Sequence, residues 1–152
     1  MNRMDFSDRK KVLRKCQIIA GALIMGVVMF VLVAIVLTEF GSFEGADFGG
    51  ILIAVAGGFA IAISIAVMAG SKKIPIAENA DEPELLKVFM ARNLLTKAPL
   101  EGAALFNVIA FILEQSVWSL AITGFLVAVM IATFPTQTKL DNFITAHTTT
   151  TV

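Results

Sequence analysis

Apolar residues in this chain fall into four long runs separated by polar breaks. Ile18 to Thr38 carries no charge, and neither do residues 50–70, which end at Gly70-Ser71-Lys72-Lys73. A third run covers roughly 98–113. A fourth runs from Val117 to Phe134, separated from the third only by Glu114-Gln115-Ser116. At about 1.5 Å per residue, a run of about 20 residues crosses a hydrocarbon core of about 30 Å. The pattern predicts an all-α polytopic membrane protein with four transmembrane helices arranged as two tandem hairpins. The link between the last two runs is so short that those helices must be antiparallel neighbours. The first run is too long for the apolar core of a signal peptide, and Leu37-Thr38-Glu39-Phe40 follows it, so it reads as a retained span.

The polar stretches complete the layout. Residues 1–17 form a basic N-terminus, 18–134 the transmembrane domain, and 135–152 a tail. Glu39 to Gly49 is a short acidic, Gly-rich loop. Residues 71–97 form a long polar loop broken by Pro75 and Pro83. Within it, Pro83-Glu84-Leu85-Leu86 marks a helical segment from about 83, with proline in the first turn and an acidic residue beside it. Pro135 ends the fourth helix. A short helix is expected around 139–144, and the closing run Thr148-Thr149-Thr150-Thr151 reads as low-complexity tail.

Charge sets the orientation. Six basic residues lie in 1–17, five in 71–97 and one, Lys139, in the tail; none lies in 39–49 or 114–116. With four spans, all of them fall on one side, so both termini and the 71–97 loop are expected in the cytoplasm.

Composition narrows the chemistry. The hydrophobic fraction is 57%, and 12 basic residues balance 12 acidic ones. No basic excess is left for phosphate backbones, so nucleic acid is not an expected partner. One cysteine, Cys16, and one histidine, His147, leave no His/Asp/Ser triad and no Cys-based or His-rich metal site. No enzyme, metal or cofactor is expected. Cys16 lies at the cytoplasmic membrane edge, where acylation is one reading and a plain thiol the other.

Two features ask for a role. The second run carries small residues in i, i+4 rows: Ala54-Gly58-Ala62-Ala66-Gly70 beside Ala56-Ala60-Ser64. In lipid such rows allow close backbone approach. The first row is taken as the helix-packing face, and this helix as the most buried of the four or as an oligomer contact. The other feature is Glu101, a carboxylate inside the third run, where a charge costs roughly 2.5–3.5 kcal/mol at the membrane centre. One reading makes Glu101 an ion or proton site. The other takes Pro99 as the first helical residue, which puts Glu101 in the first turn against the helix dipole, with Lys97 snorkelling beside it. Asn107, six positions on, does not share its face with Glu101 but does share one with Glu114, and is expected to hydrogen-bond between helices. An offset match of Gly26, Phe30, Ala34 and Leu37 with Gly102, Phe106, Ala110 and Leu113 raises a tandem repeat, in which Met25 is the counterpart of Glu101.

Residues 54–113 resemble the hairpin of rotary ATP synthase c subunits, the proteolipids. The corresponding elements are the small positions of 54–66, Pro83-Glu84 in the loop, and Glu101-Gly102-Ala103-Ala104-Leu105-Phe106. That resemblance implies an ion-binding carboxylate at Glu101 and a ring-forming small-residue helix. The loop here reads Asp81-Glu82-Pro83-Glu84, where that family has Arg-Gln before proline. Lys97 and Pro99 stand where its helix is apolar and uninterrupted. The whole chain, with Leu100-Glu101-Gly102-Ala103-Ala104, also resembles bacterial four-helix membrane proteins of uncharacterised role. These resemblances imply an inner (plasma) membrane protein, partnered by the lipid bilayer and by itself as a homo-oligomer or by another membrane protein. A non-enzymatic helical-bundle or accessory component is the expected function, with proteolipid-like translocation through Glu101 as the alternative.

Overall fold

The computed structural model describes residues 6–41, 45, 50–70, 76 and 80–148. Every element among them is a helix: α1 (Phe6–Phe40), α2 (Ile51–Gly70), α3 (Glu82–Glu114), α4 (Val117–Ala132) and α5 (Gln137–Thr148). The all-α class thus holds. Two stretches, Asp8–Phe40 and Glu82–Glu114, are long and apolar enough to cross a membrane. A third qualifies if α4 and α5, bent by 61° at their junction, are counted as one. Most of the acidic 39–49 loop, residues 71–75 and 77–79, and the threonine run beyond Thr148 lie outside the described residues.

The largest departure from the sequence expectation is in α3. It does not begin at Pro99. It begins at Glu82, where Asp81 caps it by accepting a hydrogen bond from the Glu84 N–H at 3.0 Å and proline occupies the first turn. Pro99 sits inside the helix. Proline removes one N–H from the ladder, a loss that packed neighbours in a helical bundle can absorb. Glu101 is therefore about five turns inside α3 and far from the free N–H groups of its first turn.

α3 is also the helix that the others surround, a place expected of α2. It packs against α1, α2 and α4, and its charged end against α5. α1 and α2 each also touch α4, but they are not packed on each other. Contacts of Gly26 with Glu101 and of Ala34 with Val108 and Phe111 make α1 parallel to α3. Pairing of Ala56 with Asn107 and of Lys97 with Thr133 makes α2 and α4 antiparallel to it. The two hairpins do not pack equivalently: α3 lies along α4, while α1 stands apart from α2. The offset repeat has no counterpart in the packing.

Three apolar clusters hold the bundle, the smallest formed by Ala34, Val108 and Phe111. In the apolar part, Val27, Ala60, Leu100, Ala103, Ala104, Leu126 and Met130 pack together. Beyond the apolar runs a second core forms from Leu13 and Cys16 of α1, Leu85, Leu86 and Phe89 of α3, and Leu140 and Ile144 of α5. So residues 6–17 of the basic N-terminus are a helical extension of the apolar run, and the tail helix seats on it. Cys16 is buried in this core, which removes the exposure that acylation needs.

An ion pair ties the charged layer. Arg9 Nε donates to Glu82 Oε1, and Arg9 Nη1 lies 4.0 Å from Asp141 Oδ1. The Arg9 guanidinium holds the Glu82 carboxyl below the usual carboxylate range. A carboxyl lowered in the folded state stabilises above its unfolded value, near 4.5, and that stabilisation fades as pH falls through the lower folded value. Both groups are partly exposed, so the pair is worth at most about 1 kcal/mol. Acidification from pH 6 to pH 3 is expected to lower the protection factors of amides in α5 and the first turns of α1, measured relative to the intrinsic exchange rate at each pH. Glu82→Gln should remove most of that pH dependence at these amides. Protection with the same pH dependence in wild type and Glu82→Gln would show that the pair does not hold the layer.

Candidate functional site

The residues singled out above are divided by the fold rather than gathered. The central helix carries Lys97, Glu101 and Asn107, but it turns each toward a different neighbour.

Lys97 is the most deeply buried charge, with 2% of its surface exposed. It does not lie beside Glu101. Its Nζ donates to Thr133 O at 2.9 Å and to Thr133 Oγ1 at 3.3 Å, at the C-cap of α4. The last turn of a helix leaves carbonyls without partners and carries roughly half a negative charge. A cation there satisfies both. The Thr133 hydroxyl in turn donates to Val129 O at 2.9 Å, so the cap is linked back into the helix it closes. Lys139, from α5, reaches the same turn, donating to Ala132 O at 2.8 Å and Phe134 O at 3.0 Å.

Glu101 turns the other way, toward α1. Its Oε1 lies 3.6 Å from where a Cβ on Gly26 would stand. It is half-buried, at the seam of α1 and α3, and makes no hydrogen bond or ion pair with any described residue. The seam borders the side of α3 that no helix covers, where Ala98, Gly102, Phe106 and Ile109 are exposed. Neither partner of the helix-start arrangement is in place: Lys97 is committed to α4, and the free N–H groups are about five turns away.

Asn107 is fully buried and does bond between helices. Its Nδ2 donates to Ala56 O of α2 at 3.2 Å and to Ala103 O at 2.8 Å. Glu114 shares that face, as its spacing requires, and does more than the sequence indicated. Its Oε1 accepts from Leu52 N at 3.0 Å and its Oε2 from Ile53 N at 3.2 Å, which caps the N-terminus of α2 from another helix. Ser119 and Thr123 complete a polar seam between α3 and α4, Thr123 Oγ1 donating to Ser119 O at 2.9 Å. Asn107 Oδ1 and Ser119 Oγ are buried with no hydrogen-bond partner among the described residues.

The small-residue rows exchange roles. Ala56 and Ala60 are buried inside the bundle, and Ser64 bonds to Ala60 O. The row taken as the packing face, Ala54, Gly58, Ala62, Ala66 and Gly70, points outward. The reason lies with the partners: Asn107 draws Ala56, and Gly57 approaches α4 so closely that an added Cβ would lie 3.2 Å from Ile122 Cδ1. A Cβ on Gly58 meets nothing within 4 Å.

Reasoning from sequence missed Thr133, Lys139 and Arg92 as members of one constellation. A threonine one residue before Phe-Pro at the end of an apolar run was a visible C-cap signal. The convergence of α5 on that cap was not visible. Among the described residues no group of three or more His, Cys, Asp or Glu side chains could hold a metal ion. Comparison with known protein families, curated proteins and solved structures finds no match to this chain.

Proposed function

We propose that this chain is a four-span integral membrane protein of a bacterial inner (plasma) membrane, both termini cytoplasmic, acting without catalysis as a subunit of a helical membrane assembly. α2, with 20 uncharged residues, and α4, with 16 residues, would join α1 and α3 as spans. The observation that carries the assembly is the outward row Ala54, Gly58, Ala62, Ala66. On α1 most outward positions are large, Met25, Val28, Met29, Leu32, Val33 and Val36 among them, whereas on α2 the small row runs the length of the helix beside the outward Val55, Phe59, Ile61 and Ile65. Large side chains suit lipid tails, while a row of small ones brings the backbone within reach of another helix. The occupant we favour is a second copy of this chain.

Gly58→Leu provides the test. No atom lies within 4 Å of its Cβ position, so the fold of one subunit is expected to survive. In mild detergent or nanodiscs the wild type should run as an oligomer and Gly58→Leu as a monomer with unchanged helix content and cooperative unfolding. A wild type that is monomeric in both would remove this reading.

A second reading, proteolipid-like movement of a proton or cation, is favoured by the Glu101 carboxylate at the α1–α3 seam, without a polar partner among the described residues and beside a glycine. A carboxyl so placed can load and release a cation without breaking a bond to the protein. Dicyclohexylcarbodiimide is expected to label Glu101 at neutral pH, with labelling slowed by the coupled ion and absent in Glu101→Gln. If the carbodiimide leaves Glu101 unmodified in bilayers, this reading fails and the assembly reading stands.

A further inference from the structure

Where the apolar runs end on the charged side, α3, the end of α4 and α5 line a shallow, open pocket of about 340 Å³. It is lined by Phe89, Arg92, Asn93, Thr96, Lys97, Thr133, Lys139 and Phe143. The volume lies within the roughly 300–1,000 Å³ of small-ligand sites. Three cations from two helices line it, and no carboxylate does. Asp141, two residues from Lys139 in α5 and so about half a turn round, belongs to the opposite side, where it faces Arg9 and lines a separate pocket. Glu101 is turned to α1.

Capping of α4 is one role for Lys97 and Lys139. It explains their contacts but not their charge. A helix C-terminus carries about half a negative charge, whereas Lys97 and Lys139 alone bring two positive ones. Lys97 and Lys139 converge on carbonyls of neighbouring residues, so their ammonium groups repel each other at close range. Each ammonium has three N–H donors and spends two on the cap contacts, leaving one each. The Arg92 guanidinium lies over the Phe143 ring, 5.2 Å from its centroid, which fixes the plane of its donors. The Thr96 hydroxyl and the Asn93 amide line the same wall, each donating to its own helix, to Arg92 O at 2.7 Å and to Phe89 O at 2.9 Å, so the donors open to a ligand are chiefly those of the lysines. A concave site with excess positive charge, fixed donors and an aromatic wall is built for a tetrahedral oxyanion.

We propose that this pocket binds a phosphate group, and that in the membrane the phosphate is the headgroup of an anionic lipid. The level of the site favours a lipid as the source. Lys97 immediately precedes the apolar run 98–113 and Thr133 closes the apolar helix α4, so the pocket lies at the depth of headgroups, where basic pockets between helices meet anionic lipids. The inference rests on the bilayer placement of the helices and is independent of both the assembly and Glu101.

The protein purified in a neutral detergent is titrated with short-chain phosphatidylglycerol, with short-chain phosphatidylcholine and with inorganic phosphate, and binding is followed by native mass spectrometry and by unfolding temperature. Phosphatidylglycerol is expected to bind and to raise the unfolding temperature, and phosphatidylcholine to do neither. Lys139→Gln, at an exposed position whose amide can still donate to the carbonyls of α4, should weaken phosphatidylglycerol binding on the order of fivefold. Lys139→Arg should restore it, and Lys87→Gln, an exposed lysine outside the pocket, should leave it unchanged. Protection by inorganic phosphate equal to that by the lipid would keep the site but overturn the lipid as its ligand. Equal loss in Lys139→Gln and Lys87→Gln would reduce the effect to general surface charge and overturn the site. Binding of neither lipid nor phosphate also overturns it. Release of the protein from membranes by carbonate without detergent would overturn the bilayer placement itself, whatever the titrations give.

Discussion

Lys97→Ala is expected to destabilise the protein by about 3 kcal/mol, the largest effect of any single change considered. Two losses combine. The side chain is almost fully buried, so its removal leaves a cavity between α1, α3 and α4. The Thr133 carbonyl also loses its donor at 2.9 Å. An unpaired buried acceptor costs about 1–3 kcal/mol, and a cavity the size of a long side chain costs a similar amount. Lys97→Met separates the two. Methionine refills most of the volume and removes the burial cost of the charge but cannot donate to the carbonyl, so a loss near 1 kcal/mol is expected. Thermal unfolding in one detergent, comparing wild type, Lys97→Met and Lys97→Ala, reads the order directly. A Lys97→Met protein more stable than wild type would mean that desolvation of the ammonium outweighs the cap, leaving the lysine without a stabilising role.

The second large effect is expected at Glu114, at the opposite end of the bundle. α2 enters from Gly50, whose φ of +77° suits glycine, and it has no capping side chain of its own there. Glu114 supplies both oxygens to the N–H groups of Leu52 and Ile53. Hydrogen bonds to a charged acceptor at a helix N-terminus contribute about 1.5–3 kcal/mol each in favourable settings. Partial exposure and replacement by water reduce the total for Glu114→Ala to about 2 kcal/mol. Glu114→Gln keeps one acceptor and should lose about half as much. The amides of Leu52 and Ile53 should show the largest rise in exchange rate, ahead of the rest of α2. Unchanged exchange at those two amides would remove the capping role.

The geometry of Glu101 alters the balance between its two readings. As a helix-start residue it would have been explained by local structure: a proline, a first turn, a lysine four residues earlier. The structure takes away all three supports, because Asp81 and Pro83 start the helix and Thr133 holds the lysine. What remains is a carboxylate with a glycine opposite. A larger residue than glycine at position 26 would stand against its Oε1, so Gly26 and Glu101 behave as a pair across the α1–α3 seam.

Runs of apolar residues, the absence of charge within them, and the prolines at 83 and 135 are local facts. They determined from the sequence alone that the chain is helical, where its apolar segments lie, and that Asn107 and Glu114 share a face. The helical period makes that last statement independent of fold. The sequence did not determine which row of α2 turns inward, because Ala54-Gly58-Ala62 and Ala56-Ala60-Ser64 are equally small. Their difference lies in Asn107 and Ile122, residues of other helices. Nor did it determine where α3 begins, since proline is favoured at a helix start yet tolerated inside a packed bundle. Burial of Leu85, Leu86 and Phe89 against α1 and α5 carries the helix through Pro99. The charged residues were the least legible. Lys97 and Glu101, one turn apart on the same helix, read as a pair because sequence separation was the only distance available. Tertiary packing gave the lysine a helix C-terminus and the carboxylate a glycine, since a long flexible cation reaches the strongest acceptor within its radius, and that acceptor lay on α4.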